Sequence, residues 1–123
     1  MNVRQIGERV LVIGGQEIEF RQKILRFLPL EDRVIVLLNP DDFEFGDPMV
    51  GRNILAYDGS GELIWRVADH GLKRPSRRKA PEAFFNIGMP DDSTINAVAA
   101  SCIFKLDPET GALSDPRFRY PGM

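Results

Sequence analysis

Residues that carry covalent or metal chemistry are scarce in this sequence. It contains one cysteine, Cys102, and one histidine, His70, so no internal disulfide can form. One His with one Cys cannot supply the four ligands of a structural zinc site. Cys102 begins an apolar run, which favours a buried structural thiol over a reactive one. His70 directly follows Asp69 and no Gly-x-Ser-x-Gly motif occurs, so a surface histidine is favoured over a triad member. We predict no catalytic residue, no metal site and no cofactor.

Long hydrophobic runs are also missing. Nowhere do eighteen apolar residues run together, and residues 1–9 lack the apolar core of a signal peptide. The sequence therefore predicts a cytoplasmic protein that does not enter the membrane. The net charge of −2 argues against a general nucleic-acid surface, which requires a basic face. The length of 123 residues fits a single domain, 1–123, around one core.

The sequence is rich in β-hairpin patterning, and residues 53–67 carry its strongest signal. Two β-prone runs flank Asp58-Gly59-Ser60-Gly61, which suits a type I turn completed by Gly61 in the left-handed conformation. The pairing would then be Asp58 with Glu62, Tyr57 with Leu63, and Leu55 with Trp65. This register places Tyr57 and Trp65 on the same face of the hairpin.

Two further hairpins are predicted from their turns. The Gly14-Gly15 turn pairs Leu11 with Ile18 in a hairpin over residues 9–20. In residues 102–113, Pro108 suits the second position of a turn and Gly111 supplies the positive φ that starts the returning strand. We expect the buried face of this hairpin to carry Phe104, Leu106 and Leu113.

The segments Tyr57–Trp65 and Leu106–Leu113 resemble the outer hairpins of blades in quinoprotein-type β-propellers. In both, an apolar residue and Asp open a turn that ends in Gly, and an apolar strand follows. A closed propeller has four to eight blades and this chain has room for about two, so the resemblance implies neither a ring nor a quinone. The whole sequence also resembles small bacterial all-β proteins of the immunity type, which implies a protein partner.

The remaining segments complete a mostly β prediction. Residues 20–28 favour a strand over a helix, and Arg33–Leu38 indicates a central strand covered on both faces. Residues 81–88 fit either a short helix or an edge strand. We predict a single antiparallel meander of about eight strands, as a curved sheet, sandwich or propeller-blade-like arrangement, with at most one short helix. Edge strands near Phe84-Phe85 or Phe118 could pair two copies into a homodimer.

An acidic segment, residues 39–51, is the main candidate site and is predicted to be a loop. Aromatic anchors within a charged rim are typical of protein interfaces, and the pattern leaves open whether both phenylalanines are exposed. The candidate contacts to a basic partner protein are Asp41, Asp42, Phe43, Glu44, Phe45 and Asp47. The function predicted is a non-enzymatic protein-binding module, of an immunity or regulatory kind, that uses this loop and an adjacent sheet face.

Two alternatives involve other residues. A curved sheet or barrel could hold a small ligand against Tyr57, Trp65 and Asn96. A basic loop over residues 69–81 could contact phosphates of a nucleic acid, although no aromatic residue interleaves it, so nucleic-acid binding is disfavoured. Its cations are Lys73, Arg74, Arg77, Arg78 and Lys79.

Overall fold

The chain folds into short antiparallel strands joined mostly by tight turns. The computed structural model describes residues 1–74 and 80–119. The strands found there are β1 (Val3–Ile6), β2 (Val10–Ile13), β3 (Gln16–Glu19), β4 (Ile24–Pro29), β5 (Arg33–Leu38), β6 (Ile54–Asp58), β7 (Leu63–Arg66), β8 (Lys73–Arg74), β9 (Ala80–Pro81), β10 (Phe84–Asp91), β11 (Thr94–Ala99), β12 (Cys102–Leu106) and β13 (Leu113–Phe118). The helices in the described ranges are two 3₁₀ helices, Pro40–Asp42 and Pro48–Arg52.

The strands form three consecutive meanders. The first sheet is β1-β2-β3, the central sheet is β4-β5-β6-β7 and the third sheet is β10-β11-β12-β13, with β8 and β9 forming a separate two-stranded ribbon. The mostly β prediction is confirmed. The prediction of one meander of about eight strands is wrong, because the described residues form three sheets beside the β8–β9 ribbon and none of the three closes.

Two apolar cores separate the three sheets. The first core lies between the first and central sheets and consists of Leu11, Ile13, Phe20, Ile24, Val34, Val36, Leu38 and Leu55. The second core lies between the central and third sheets and includes Ile35, Leu37, Trp65, Val67, Phe84, Ile87, Cys102 and Phe104. Along β5, successive side chains alternate between the two cores, as a pleated strand requires. The predicted central strand covered on both faces is thereby confirmed.

The β6–β7 hairpin has the predicted turn but a different register beyond it. Gly61 has φ +87°, and the Asp58 N–H donates to the Glu62 carbonyl at 2.9 Å. Tyr57 pairs with Leu63 as expected, but Trp65 pairs with Ala56 because Ile64 is an extra, bulged residue. The predicted Leu55–Trp65 pair is therefore wrong.

This bulge moves Trp65 to the other face of the central sheet. Tyr57 packs beside the first core, with its ring edge-on to Phe20 at a centroid distance of 5.8 Å. Trp65 lies in the second core. The prediction that Tyr57 and Trp65 share a face is wrong, since a one-residue bulge reverses the face of every residue beyond it.

Other strand predictions agree with the structure. Leu11 pairs with Ile18, and Leu106 pairs with Leu113 at the β12–β13 hairpin. Residues 20–28 contain β4, and residues 81–88 run into β10, which is an edge strand and not a helix.

Glycines in two hairpin turns allow these turns to approach neighbouring sheets closely. A Cβ on Gly14 would lie 2.2 Å from the Gly59 carbonyl oxygen, so the turn of the first sheet contacts the turn of the central sheet directly. A Cβ on Gly111 would lie 2.5 Å from Cε3 of Trp65. The same Trp65 donates from Nε1 to the Pro108 carbonyl at 2.9 Å. The third sheet is therefore fixed to the indole by packing and by a hydrogen bond.

A buried asparagine ties the central sheet to the third sheet. Asn53 has no exposed surface, and its Nδ2 donates to the carbonyls of Leu38 at 2.8 Å and Phe84 at 2.7 Å. Its Oδ1 accepts from the Phe84 N–H at 3.0 Å. Asn53 thus satisfies main-chain groups at the end of β5 and at the start of β10, which otherwise would be buried without partners.

We predict that Asn53→Ala lowers the free energy of unfolding by about 3 kcal/mol or more, because three buried polar groups lose their partner. Urea denaturation followed by the fluorescence of the single tryptophan measures this loss. Asn96→Ala is the matched control, since the Asn96 side chain forms no hydrogen bond with any described residue, and a change of less than about 0.5 kcal/mol is expected. Equal losses in the two variants would contradict the role of Asn53.

We predict that Gly111→Ala costs about 3 kcal/mol, because alanine adds a collision with the Trp65 ring to the strain of a left-handed backbone at φ +77°. Gly7→Ala is the control: Gly7 has φ +69° with nothing within 4 Å of its Cβ position. It should cost only about 1 kcal/mol, from the backbone alone. The difference between the two unfolding free energies measures the contact with Trp65.

Candidate functional site

The acidic segment, residues 39–51, connects β5 to β6 and is built from two capped 3₁₀ turns. The Asn39 side chain accepts from the Asp41 N–H at 3.0 Å, and the Asp47 side chain accepts from the Met49 N–H at 2.9 Å. A proline follows each cap directly, at the first helical position. The caps and the prolines therefore fix the backbone conformation of the loop at both 3₁₀ turns.

Three of the six predicted contact residues serve the fold. Asp42 accepts from the Lys23 N–H at 2.7 Å, which joins the loop to the start of the central sheet. Phe43 is half-buried and packs against the first core. Asp47 is the cap described above. These residues are poorly placed to contact a partner.

The other three predicted contact residues are displayed to solvent. Phe45 is 96% exposed, and Asp41 and Glu44 are also exposed. Gly46, with φ +84°, turns the chain directly after Phe45. The open question of the two phenylalanines is thereby answered: one is packed and the other is fully presented.

An arginine pair anchors the far end of the loop. Arg66 donates from Nε to the Arg52 carbonyl at 2.6 Å and reaches the Met49 carbonyl at 3.4 Å. Arg52 in turn donates from Nε to the Val67 carbonyl at 2.7 Å. Burial lowers the pKa of Arg66, and the neighbouring Arg52 charge lowers it further. Sequence reasoning missed these anchors because their acceptors are main-chain atoms fourteen to seventeen residues away.

The three residues predicted to line a ligand site do not lie around a common cavity. Tyr57 packs beside the first core and Trp65 lies in the second core, on opposite faces of the central sheet. Asn96 pairs with Lys105 on the outer side of the third sheet. Burial raises the pKa of the Tyr57 hydroxyl. The structure does not bring these three side chains together.

The only histidine packs against two aromatic rings of the second core and is partly exposed. His70 is half-buried, with its ring 5.3 Å from the Phe84 ring and 5.9 Å from the Phe104 ring. Its Nδ1 accepts from the Leu72 N–H at 2.9 Å, so the Nε2 carries hydrogen and donates to the Glu82 carbonyl at 2.7 Å. Both ring nitrogens are therefore used by the main chain.

Glu82, whose carbonyl accepts from His70, and the buried Cys102 perform structural roles. The Glu82 carboxylate is almost fully buried and accepts from the N–H of Ser101 at 3.0 Å and from its hydroxyl at 2.5 Å. Cys102 is fully buried, as predicted, and burial raises the pKa of its thiol. A raised pKa disfavours the thiolate, which is the reactive form of cysteine.

The carboxylates of the hairpin turns are also engaged. Asp58 accepts from the Ser60 hydroxyl at 2.7 Å and from the main-chain N–H groups of Ser60 and Glu62 at 2.9 and 3.0 Å. These bonds lower the pKa of the Asp58 carboxyl. Asp107 accepts from the Glu109 N–H at 2.9 Å in the same manner. Both residues form turns, in agreement with their sequence context.

The predicted basic loop is only partly described. Lys73 and Arg74 form β8 and pair with β9. Arg77, Arg78 and Lys79 lie outside the described residues. Within residues 1–74 and 80–119, no three side chains of His, Cys, Asp or Glu come together as metal ligands would. In the same ranges, no helix has the length and apolar character needed to cross a membrane.

Comparison with known proteins gives one family assignment. The family described as "Domain of unknown function (DUF7957)" matches residues 1–118. No curated protein and no solved structure matches the chain. Because the match covers nearly all of the sequence, the chain belongs to the DUF7957 family.

Proposed function

We propose that this protein is a non-enzymatic, cytoplasmic protein-binding module of an immunity or regulatory kind. Its acidic loop presents Phe45, together with the exposed carboxylates of Asp41 and Glu44, to a partner with a basic surface. The observation that carries the proposal is the exposure of Phe45, whose side chain is 96% accessible in a loop that is otherwise held in place.

An exposed phenylalanine supplies a large free-energy gain when a partner covers it. Burying a fully exposed Phe side chain is worth about 2 kcal/mol. Aromatic side chains are enriched in the central parts of protein interfaces, where a polar rim surrounds them. Phe45 with its neighbouring carboxylates matches this arrangement.

The anchoring of the loop lowers the entropic cost of binding. Asp42 fixes one end of the loop to Lys23, and Arg66 fixes the other end through main-chain carbonyls. A surface already held in its bound conformation loses less conformational entropy on association. Rigid presentation therefore supports a binding role for the exposed tip.

The charge of the tip indicates the partner. Asp41 and Glu44 precede Phe45 in the same loop and are exposed, and neither forms an ion pair with a described residue. Carboxylates at the rim of an interface accelerate association with a basic surface and suppress association with an acidic one. The non-enzymatic part of the proposal is supported by His70, both of whose ring nitrogens bond to the main chain.

We predict that Phe45→Ala weakens binding of the native partner by about 30-fold, since about 2 kcal/mol of burial is lost. The partner would be obtained by affinity capture from the source cell with the intact protein, and its dissociation constant measured by calorimetry. Leu63→Ala is the matched control, because Leu63 is 54% exposed but lies outside the loop. Its affinity should be unchanged.

We also predict that Asp41→Lys combined with Glu44→Lys slows association and reduces its dependence on salt. Stopped-flow mixing at low and high ionic strength measures both effects, with urea denaturation confirming that the free energy of unfolding is unchanged. Wild-type affinity in both Phe45→Ala and the double lysine variant would remove the loop from the binding site.

A further inference from the structure

The first sheet has an outer face that no described element covers. The register aligns Arg4 with Val12 and Glu17, and Ile6 with Val10 and Glu19, in two rows across the sheet. Val10 and Val12 are only partly buried, and Ile6 is 39% exposed. Because neighbouring side chains alternate, these rows point away from the first core. The face is an apolar strip with Glu17 and Glu19 along one side and Arg4 on the other, so its net charge is −1.

The third sheet has a comparable outer face of opposite charge. Val98 pairs with Ile103, which pairs with Arg117, and Asn96 pairs with Lys105 in the next row. Val98 and Ile103 are only partly buried, while Lys105 and Arg117 are exposed. This face is therefore also an apolar strip, and its charged residues are the cations Lys105 and Arg117 with the carboxylate of Asp115 beside them.

The charges of the two faces are complementary. Glu17 and Glu19 form no ion pair with any described residue. Lys105 and Arg117 share a single carboxylate, that of Asp115, at 3.3 and 3.5 Å, so this pair keeps a net positive charge. The two end faces therefore carry net charges of opposite sign, −1 from Arg4, Glu17 and Glu19 and +1 from Lys105, Arg117 and Asp115.

The stack has a direction, which favours a head-to-tail contact. The three meanders follow one another in chain order, with the first sheet at one end and the third sheet at the other. A contact between two different faces can be repeated from one molecule to the next. The repeated contacts close into a ring if the rotation between neighbouring molecules permits it. One chain contributes three face-to-face sheets, whereas rings of stacked sheets typically contain about four to eight. Two chains would contribute about six, which lies within that range.

We propose that two copies of this chain associate head to tail. The first-sheet face with Glu17 and Glu19 of each copy packs on the third-sheet face with Lys105 and Arg117 of the other. Two such contacts close the pair into a ring of six sheets. This proposal is independent of the loop proposed above as a partner site, because it uses neither Phe45 nor its neighbours.

Sedimentation equilibrium of the full chain is the first test. The wild-type protein should sediment at twice its monomer mass of 13.9 kDa, with no larger species as the concentration rises. A monomer throughout the micromolar range would overturn the proposal. A mass that grows without limit would overturn the closed pair, because an unclosed head-to-tail contact produces filaments.

Charge reversal on each face is the second test. Glu17→Lys/Glu19→Lys and Lys105→Glu/Arg117→Glu should each raise the dissociation constant of the dimer by roughly 100-fold, since like charges then face each other. Mixed in equal amounts, the two variants should form a dimer again. That mixed dimer has one wild-type contact and one contact in which both charges are exchanged.

The mixing result distinguishes this arrangement from the alternatives. A dimer formed by like faces, or by pairing of the β10 or β13 edges, would keep its affinity in at least one of the two variants, and that outcome would overturn the proposal. Circular dichroism should show unchanged strand content in both variants. If Lys105→Glu/Arg117→Glu fails to fold beside Asp115, Ile103→Asp replaces it. This variant should be monomeric alone and should regain a dimer when mixed with the first-sheet variant, through their one intact contact.

Discussion

The central sheet is apolar on both faces, and the rest of the structure follows from this constraint. The strand β5 buries Val34 and Val36 on one side and Ile35 and Leu37 on the other. A sheet of this kind is stable in water only when both faces are covered. A chain of this length supplies the two covers with the strands before and after the central sheet, which gives three layers in chain order.

Specific polar contacts then fix how the layers are aligned. Apolar cores hold sheets together without selecting one orientation, since the hydrophobic effect is not directional. Asn53 and Trp65 supply directional contacts, because each side chain donates a hydrogen bond to a main-chain carbonyl in or beside the third sheet. Asn53 donates to Phe84 at 2.7 Å, and Trp65 donates to Pro108 at 2.9 Å. Misalignment of the layers would leave these groups buried without partners. The polar contacts therefore select one alignment from many that the cores would permit.

Sequence reasoning succeeded where the determinants are local. The Gly14-Gly15 and Asp58–Gly61 turns fixed their first strand pairs, because turn length and the need for positive φ are written in adjacent residues. It failed at the Ile64 bulge, since an extra residue in a strand leaves no compositional mark. One such residue was enough to place Tyr57 and Trp65 on opposite faces, so that these two side chains do not line one site.

The sequence predicted where the candidate site lies but not which of its side chains are exposed, because exposure depends on contacts with residues distant in the sequence. The composition of residues 39–51 identified a charged loop with two phenylalanines, but composition does not distinguish the half-buried Phe43 from the exposed Phe45. That distinction depends on contacts with the first core and with Lys23, which lies nineteen residues from its acceptor Asp42. Asn53 was missed likewise, because its partner Phe84 is thirty-one residues away.

The position of the loop in the stack separates the two proposed surfaces. The loop joins β5 to β6, both of which belong to the middle layer, whereas the two uncovered apolar faces lie at the ends of the stack. Phe45 is not among the residues of either end face. Self-association and partner binding therefore do not compete for the same residues. Two copies would present two loops, and a multivalent surface binds a repeated or dimeric partner more tightly than one loop alone.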